Sequence, residues 1–359
     1  ASDVYKRQEM NDDGLRVVLL GYKMNPAPVG EFSVDDESEL TLIGFLAFLD
    51  PPKESAKAVI ENLKHDGITI KILTGDNAAV TRNVGLQVGL NVDTIYTDSD
   101  FAGKTHEEMK KMVEECDIFV KLSPESKAKI IQLLKENGHT VGYMGDGIND
   151  APAMKSADVS ISVDTAVDIA KKSADIILLH KDLLILENGV RIGRQIFGNT
   201  MKYIKITLSS NFGNILSILV ASSFLPFLPM LPLQLLILDL LYGTSCLSIP
   251  FDTMDKQYLD VPRKWSTRKL PKFMFYFGPV SSIFDIITFA LLFFVICPTV
   301  AGGQYSQLAA SQKTIFATVF TAGWFIESLW TQEIVIHALR DPKIPFLQQR
   351  PSVIVALST

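Results

Sequence analysis

The feature that most restricts the fold of this chain is a change of character near residue 200. Up to about residue 198, short apolar runs alternate with amphipathic stretches. Beyond it come four long apolar stretches, Ile204–Phe224, Leu231–Pro250, Gly278–Cys297 and Thr314–Ile336. Each can cover roughly 30 Å of hydrocarbon as a helix. Leu231–Pro250 and Thr314–Ile336 are more interrupted, and a buried soluble core is the alternative for them. Four in succession, in a chain of 359 residues with positive mean hydropathy, favour a membrane domain. The first half reads differently. Ile68–Leu73, Ile118–Lys121, Thr140–Met144, Val159–Val163 and Ile176–Leu179 are strand candidates with helices between them. That rhythm predicts a parallel, doubly wound sheet whose ligand sits at the carboxyl ends of its strands.

Two turns fall at such ends. Met144-Gly145-Asp146-Gly147-Ile148-Asn149-Asp150-Ala151-Pro152-Ala153 packs two carboxylates, an amide and two glycines into one tight turn. Carboxylate oxygens suit a hard cation such as Mg2+, the glycines let backbone approach, and Pro152 starts the next helix. An acidic turn alone is often only a solvated loop. Ile68–Leu73 runs into Thr74-Gly75-Asp76-Asn77, where the Thr74 hydroxyl and the Gly75 N–H can donate to phosphate oxygens at a helix start. The bland alternative there is a helix cap on a glycine turn. Ser123-Pro124-Glu125-Ser126-Lys127 opens an amphipathic helix to about Leu134. A cation in a first turn gains nothing from the helix dipole, so Lys127 is better explained by an anion it holds. Phe48-Leu49-Asp50-Pro51-Pro52-Lys53 is a strand exit with a rigid double-proline joint.

In this order the motifs resemble the phosphorylation domain of P-type ATPases, which belongs to the haloacid-dehalogenase-like, Rossmann-type α/β class. The resemblance implies residues 1–44 as the end of a nucleotide-binding domain, 45–198 as the phosphorylation domain and 199–359 as an all-α transmembrane bundle. Leu49-Asp50-Pro51-Pro52-Lys53 matches the family's interdomain hinge, and Arg16 lies where an arginine reaches the ATP phosphates. Asp146 would hold the catalytic Mg2+ with Asp150 orienting it, and Asn149 would support the phosphate site. Thr74, Gly75 and Lys127 would bind phosphoryl oxygens and Asp76 would position loop and nucleotide. ATP and Mg2+ are the implied cofactors. The reaction is phosphoryl transfer through an aspartyl phosphate, driven by positioning and charge neutralisation. No Asp-Lys-Thr-Gly occurs in the 359 residues. The family's nucleophile, actuator domain and upstream helices are therefore expected to lie outside this sequence. Ile344–Thr359 resembles a fifth span just beginning, so the chain reads as an incomplete carboxyl-terminal piece, inactive alone.

The membrane half carries polar groups. Asn211 and Asn214 share one helical face, and Asp239 lies in the next span. An intramembrane carboxylate is a functional candidate by default, and amide and carboxylate oxygens together suit a hard cation. Helix pairing is the alternative for the asparagines. Asp285 and Glu327 are further intramembrane acids, read as supporting or helix-pairing groups. Ser209–Asn214, Phe224–Pro232, Ile249–Asp252, Pro262–Trp265 and Gly278–Asp285 resemble the magnesium-transporting subclass. The resemblance implies Mg2+ import into the cytoplasm at the cell membrane. In that subclass an amide is expected near position 239 and an aspartate one turn later. Here Asp239 comes first and Gly243 follows, which moves the carboxylate by about 6 Å.

Charge sets the topology. Lys256, Arg263, Lys264, Arg268, Lys269 and Lys272 crowd the segment after the second span, and Arg340, Lys343 and Arg350 follow the fourth. Pro226–Pro232 is uncharged and Pro298–Gln312 lacks lysine and arginine. The basic segments, and the soluble domain with them, belong on the cytoplasmic side. A net charge of −6 says little about nucleic acid, and no basic, aromatic-laced patch points to it as a partner. Cys116, Cys246 and Cys297 are isolated, which indicates neither disulfide nor thiolate zinc. The rival readings are a P-type ATPase for Ca2+ or Na+/K+, and a membrane-anchored phosphatase. The phosphatase needs an Asp-x-Asp on its first strand, and none is present.

Overall fold

Strands and helices alternate where the sequence alternates. The computed structural model describes residues 10, 15–23, 38–48, 51–341 and 350–359, and the chain divides into two units, Ala1–Val190 and Arg191–Thr359. In the first unit, β1 (Arg16–Tyr22) pairs antiparallel with β2 (Thr41–Phe48), in a register from Arg16↔Phe48 to Tyr22↔Thr41. The expected hinge residues Leu49 and Asp50 lie outside the described residues. Arg16 lies in β1, and its side chain is likewise outside them.

The rest of this unit is α1 (Ser55–His65), β3 (Ile72–Leu73), α2 (Ala78–Val88), β4 (Ile95–Thr97), α3 (His106–Glu115), β5 (Ile118–Val120), α4 (Pro124–Glu136), β6 (Gly142–Met144), α5 (Ala151–Ser156), β7 (Val159–Val163), α6 (Asp168–Ser173) and β8 (Ile176–Leu178). All ladders after β2 are parallel, as the alternation predicts. They form two three-stranded groups, β3-β5-β4 and β6-β7-β8, rather than one continuous sheet. Leu73 and Val141 pack against the cores on both groups, so the two share one apolar interior. The strand expected over Ile68–Leu73 is shorter. Ile72 lies opposite Ile118, the first residue of β5, so the residues before it meet no ladder partner. Ile118, Phe119 and Val120 are fully buried, which is how a central parallel strand covered on both faces reads.

The second unit is helical. Its elements are α7 (Leu183–Phe224, beginning in the first unit), α8 (Pro232–Cys246), α9 (Lys256–Leu259), α10 (Leu270–Leu291), α11 (Cys297–Ala301), α12 (Ala310–Leu339) and α13 (Val353–Ser358). A π-helical turn, Leu292–Ile296, joins α10 to α11 just before Pro298. Among the described residues three segments, Leu183–Phe224, Pro232–Phe251 and Leu270–Gln307, are long and apolar enough to cross a membrane. The fourth expected span is the 30-residue α12. It has the length but not the apolarity, because Glu327, Gln332, Glu333 and several threonines interrupt it. Helices α7 and α10 cross where each has a glycine. A Cβ on Gly213 would lie 2.3 Å from Ser281 Oγ, and one on Gly278 would lie 2.6 Å from the Phe212 ring. Small residues are what close helix approach requires in a membrane.

Asp285 is buried at this crossing. It accepts from Ser217 Oγ at 2.5 Å and from Trp324 Nε1 at 3.0 Å, which joins α7, α10 and α12. The helix-pairing reading of Asp285 fits both contacts. A second polar node lies at the end of the Pro232–Phe251 segment. Asp252 is buried and accepts from Lys202 Nζ at 2.8 Å, from Arg340 at 3.2 Å and from the Ser352 N–H at 3.1 Å.

Candidate functional site

The parallel ladders deliver the two sequence motifs to the carboxyl ends of β3 and β6, where open α/β sheets bind ligands. After β3, the Thr74 hydroxyl donates to Asp76 Oδ2 at 3.0 Å and accepts the Asp76 N–H at 3.1 Å, closing a small turn. The turn is pinned to the end of β5. Lys121 N–H reaches the Asp76 carbonyl and Leu122 N–H the Thr74 carbonyl, both at 3.0 Å. Lys121 takes a positive φ of 52° to do so. The helix that follows is capped by Asn77, whose Oδ1 accepts the Val80 N–H at 2.9 Å. The capping role thus falls on Asn77 and leaves Gly75 and Asp76 exposed in the turn.

After β6 the chain turns through Gly145 to Asp150. A Cβ on Gly145 would lie 2.5 Å from the Asp150 Cβ, so the turn closes only around a glycine. Asp150 is held from three sides. Lys127 Nζ donates to its Oδ1 at 2.8 Å, the Tyr143 hydroxyl to the same oxygen at 2.7 Å, and the Gly147 N–H to Oδ2 at 3.1 Å. Lys127 is buried, although it occupies the first turn of α4, where Ser123 caps the helix. Burial opposes ionisation of Asp150. Lys127, Tyr143 and the Gly147 N–H outweigh it and hold the carboxyl below its ordinary range. Burial, and after it the Asp150 carboxylate, push the Tyr143 phenol upward, so it remains a donor.

Asp146 stands apart from this clamp. It is half-exposed and takes one side-chain contact among those described, Lys181 Nζ at 2.7 Å from Oδ2. Its carbonyl accepts the Val167 N–H at 3.2 Å. The donor set fits Mg2+. Asp146 offers hard carboxylate oxygen at an accessible strand end, and a cation, the Lys181 ammonium, already lies against it. Asn149 is exposed in the short helical turn Ile148–Asp150. The structure therefore brings Lys127 together with Asp150. It leaves Asp146 and Asn149 open beside them, and it shapes the Thr74 turn separately at the end of β3. Sequence reasoning missed Tyr143 and Lys181. Tyr143 reads as one apolar residue of a buried strand, and Lys181 meets Asp146 only through the fold.

In the second unit a cavity of about 470 Å³ collects Asn211 and Asn214 from α7, Asp239 from α8, and Trp324 and Ser328 from α12. Tyr242 and Gly243 also line it. The three residues singled out for a transported ion thus share one cavity. The α12 contribution had no sequence signal, since a lone serine or tryptophan in an apolar helix reads as packing.

Comparison with known proteins fits this geometry. Residues 22–158 match a haloacid dehalogenase-like hydrolase family model. The chain is 48% identical over 360 residues to a magnesium-transporting ATPase, P-type 1, of Salmonella typhimurium, with 99% of the chain aligned. The same-named Escherichia coli protein is 48% identical over 94% of the chain. The chain belongs to the P-type ATPases. A calcium-transporting ATPase of Listeria monocytogenes is more distant, 34% identical over 65% of the chain. The chain spans 38% of the length of the Salmonella relative. The three apolar helical segments fit a multi-pass membrane protein.

Proposed function

We propose that this chain supplies the phosphoryl-binding and cation-conducting parts of an ATP-driven Mg2+ importer that works through an aspartyl phosphate. The carrying observation is the Lys127–Asp150 pair, clamped at 2.8 Å beside an open Asp146, at the carboxyl end of a parallel strand. The relatives named for magnesium transport, at 48% identity against 34% for the calcium-transporting one, support the choice of ion.

Each residue then has a task. Lys127 neutralises phosphoryl oxygens, and Asp150, itself held by the Tyr143 hydroxyl, keeps its ammonium in place. The Gly75 N–H donates to the same group, and so does the Thr74 hydroxyl once its proton turns away from Asp76 Oδ2, its oxygen still held by the Asp76 N–H. Asn149 adds an amide donor, and Arg16 approaches the ATP phosphates. Asp146 would hold the Mg2+ ion, with Asp150 fixing the turn that carries it through the Gly147 N–H, and the ion would neutralise charge on the phosphate oxygens. This is electrostatic preorganisation, which lowers the barrier only while the donors stay fixed. Asn211, Asn214 and Asp239 offer oxygens to the transported ion. The phosphoryl acceptor, an actuator domain and further helices belong, in this reading, to sequence beyond these 359 residues. The first unit faces the cytoplasm at the cell membrane.

The test is radiolabelled ATP added to the full-length protein. The reading expects an acid-stable, hydroxylamine-sensitive phosphoprotein that requires Mg2+ and is lost in Asp146→Asn. Labelling that survives hydroxylamine, or that is indifferent to Asp146, would sink it.

A further inference from the structure

Among the described residues, Lys181 is the side-chain contact of the Asp146 carboxylate, and neither motif contains it. It lies three residues past the end of β8, and Asp146 lies two past the end of β6. Both strands run parallel to β7, which separates them, so their carboxyl ends point the same way. The Lys181 side chain spans this gap and brings Nζ to 2.7 Å from Asp146 Oδ2. Its backbone is held in place, because its carbonyl accepts from Lys53 Nζ beside the double-proline joint. The next residue, Asp182, accepts the Leu184 N–H at 2.9 Å and so stands at the start of α7. Lys181 and Asp146 side chains are 63% and 53% exposed, so water and ions reach the pair.

A lysine ammonium and a divalent cation compete for the same carboxylate oxygen. Building on the proposed function, we propose that Lys181 is a built-in counter-cation at Asp146, which Mg2+ must displace to bind. The lysine keeps Asp146 oriented while the metal is away. It also raises the Mg2+ concentration at which the site fills. Departure of the ammonium releases the tether two residues ahead of α7, so occupancy of the carboxylate is felt at that helix start. Lys181 is a positioning residue, since it acts through Asp146.

The experiment is a Mn2+ titration of the full-length protein in detergent, followed by electron paramagnetic resonance, on wild type, Lys181→Met, Lys181→Arg, Asp146→Asn and the double variant. An exposed ion pair is a modest competitor, so Lys181→Met should tighten the Asp146-dependent site by roughly two- to fivefold. The gain should shrink with added salt. Lys181→Arg should stay near wild type, and Lys181→Met should change nothing once Asp146 is asparagine. Because Lys181 is exposed, the methionine variant leaves the core untouched. Unchanged or weaker Mn2+ binding in Lys181→Met, with binding still lost in Asp146→Asn, would overturn the counter-cation role alone. Binding that is indifferent to Asp146→Asn would overturn that role and the metal assignment together.

Discussion

Asp150 in the first unit and Asp239 in the second are both acids at a predicted ligand site, yet the fold treats them in opposite ways. Asp150 carries a lysine, a tyrosine and a backbone N–H on its two oxygens. Asp239 lines a cavity whose described lining residues include no lysine, arginine or histidine. The second unit has its own counterpart of Asp150 in Asp252, which is buried and held by a lysine and an arginine. A carboxylate saturated by the protein's own donors is a fixed part, and a buried one is tolerable only with such partners. A carboxylate left with amides and hydroxyls around it suits a ligand that arrives and leaves. The first unit thus carries the clamped Asp150 and, in Asp146, an exposed acid held by one lysine, while the second carries the clamped Asp252 and, in Asp239, an acid that lines a cavity.

The contrast breaks most visibly at Asp252. Asp252→Ala leaves Lys202 and Arg340 buried against nothing anionic at that position, which should cost about 3–5 kcal/mol. Denaturant unfolding in detergent would measure it, and a loss under 1 kcal/mol would mean that the node is ornamental. Lys127→Ala strikes the other clamp. It should lower the rate of phosphoenzyme formation by about 10²–10³-fold, read by rapid quench. A fall in ATP affinity with an unchanged rate would instead make Lys127 a ground-state contact. Gly145→Ala forces a Cβ to 2.5 Å from the Asp150 Cβ. The displaced carboxylate should cost about 1–3 kcal/mol and raise the Mg2+ requirement, and wild-type behaviour would show that the turn yields.

Tyr143→Phe is the mildest probe. It deletes one donor from Asp150 and should cost about 0.5–1.5 kcal/mol. It also carries a pH signature. The folded Asp150 value lies below its ordinary 3.8, so its stabilisation is complete above that pH and is lost as pH falls through the folded value. With one donor gone, the folded value moves up toward the ordinary one, so less stability should be lost on acidification and the acid limb should be shallower than in the wild type. Unfolding curves between neutral pH and pH about 3 would show this, and coincident acid limbs for both proteins would remove Tyr143 from the clamp.

Much of this was legible in the sequence because it depends on local chemistry. Strand β7 follows from the apolar run Val159–Val163, and the strand-end turns follow from Thr74-Gly75-Asp76 and Gly145-Asp146-Gly147. The split of the parallel strands into two ladders was not legible, because pairing is decided by neighbours far along the chain. Lys127 was picked out by its wrong place in a helix dipole, but Asp150 as its partner 23 residues away was not. Lys181 meets Asp146 across 35 residues and a whole intervening strand, which no spacing encodes. In the membrane half, Asn211, Asn214 and Asp239 stood out as polar atoms in apolar helices. The α12 side of their cavity did not, since Trp324 and Ser328 look like ordinary packing until the helices meet.

The measurement that bears most directly on the whole account is ion uptake by the full-length protein in liposomes with ATP outside, comparing Mg2+ with Ca2+ in wild type and Asp239→Asn. ATP-dependent uptake selective for Mg2+, and its loss in the variant, is the expected result. Uptake of Ca2+ in preference, or Mg2+ uptake untouched by Asp239→Asn, would contradict it.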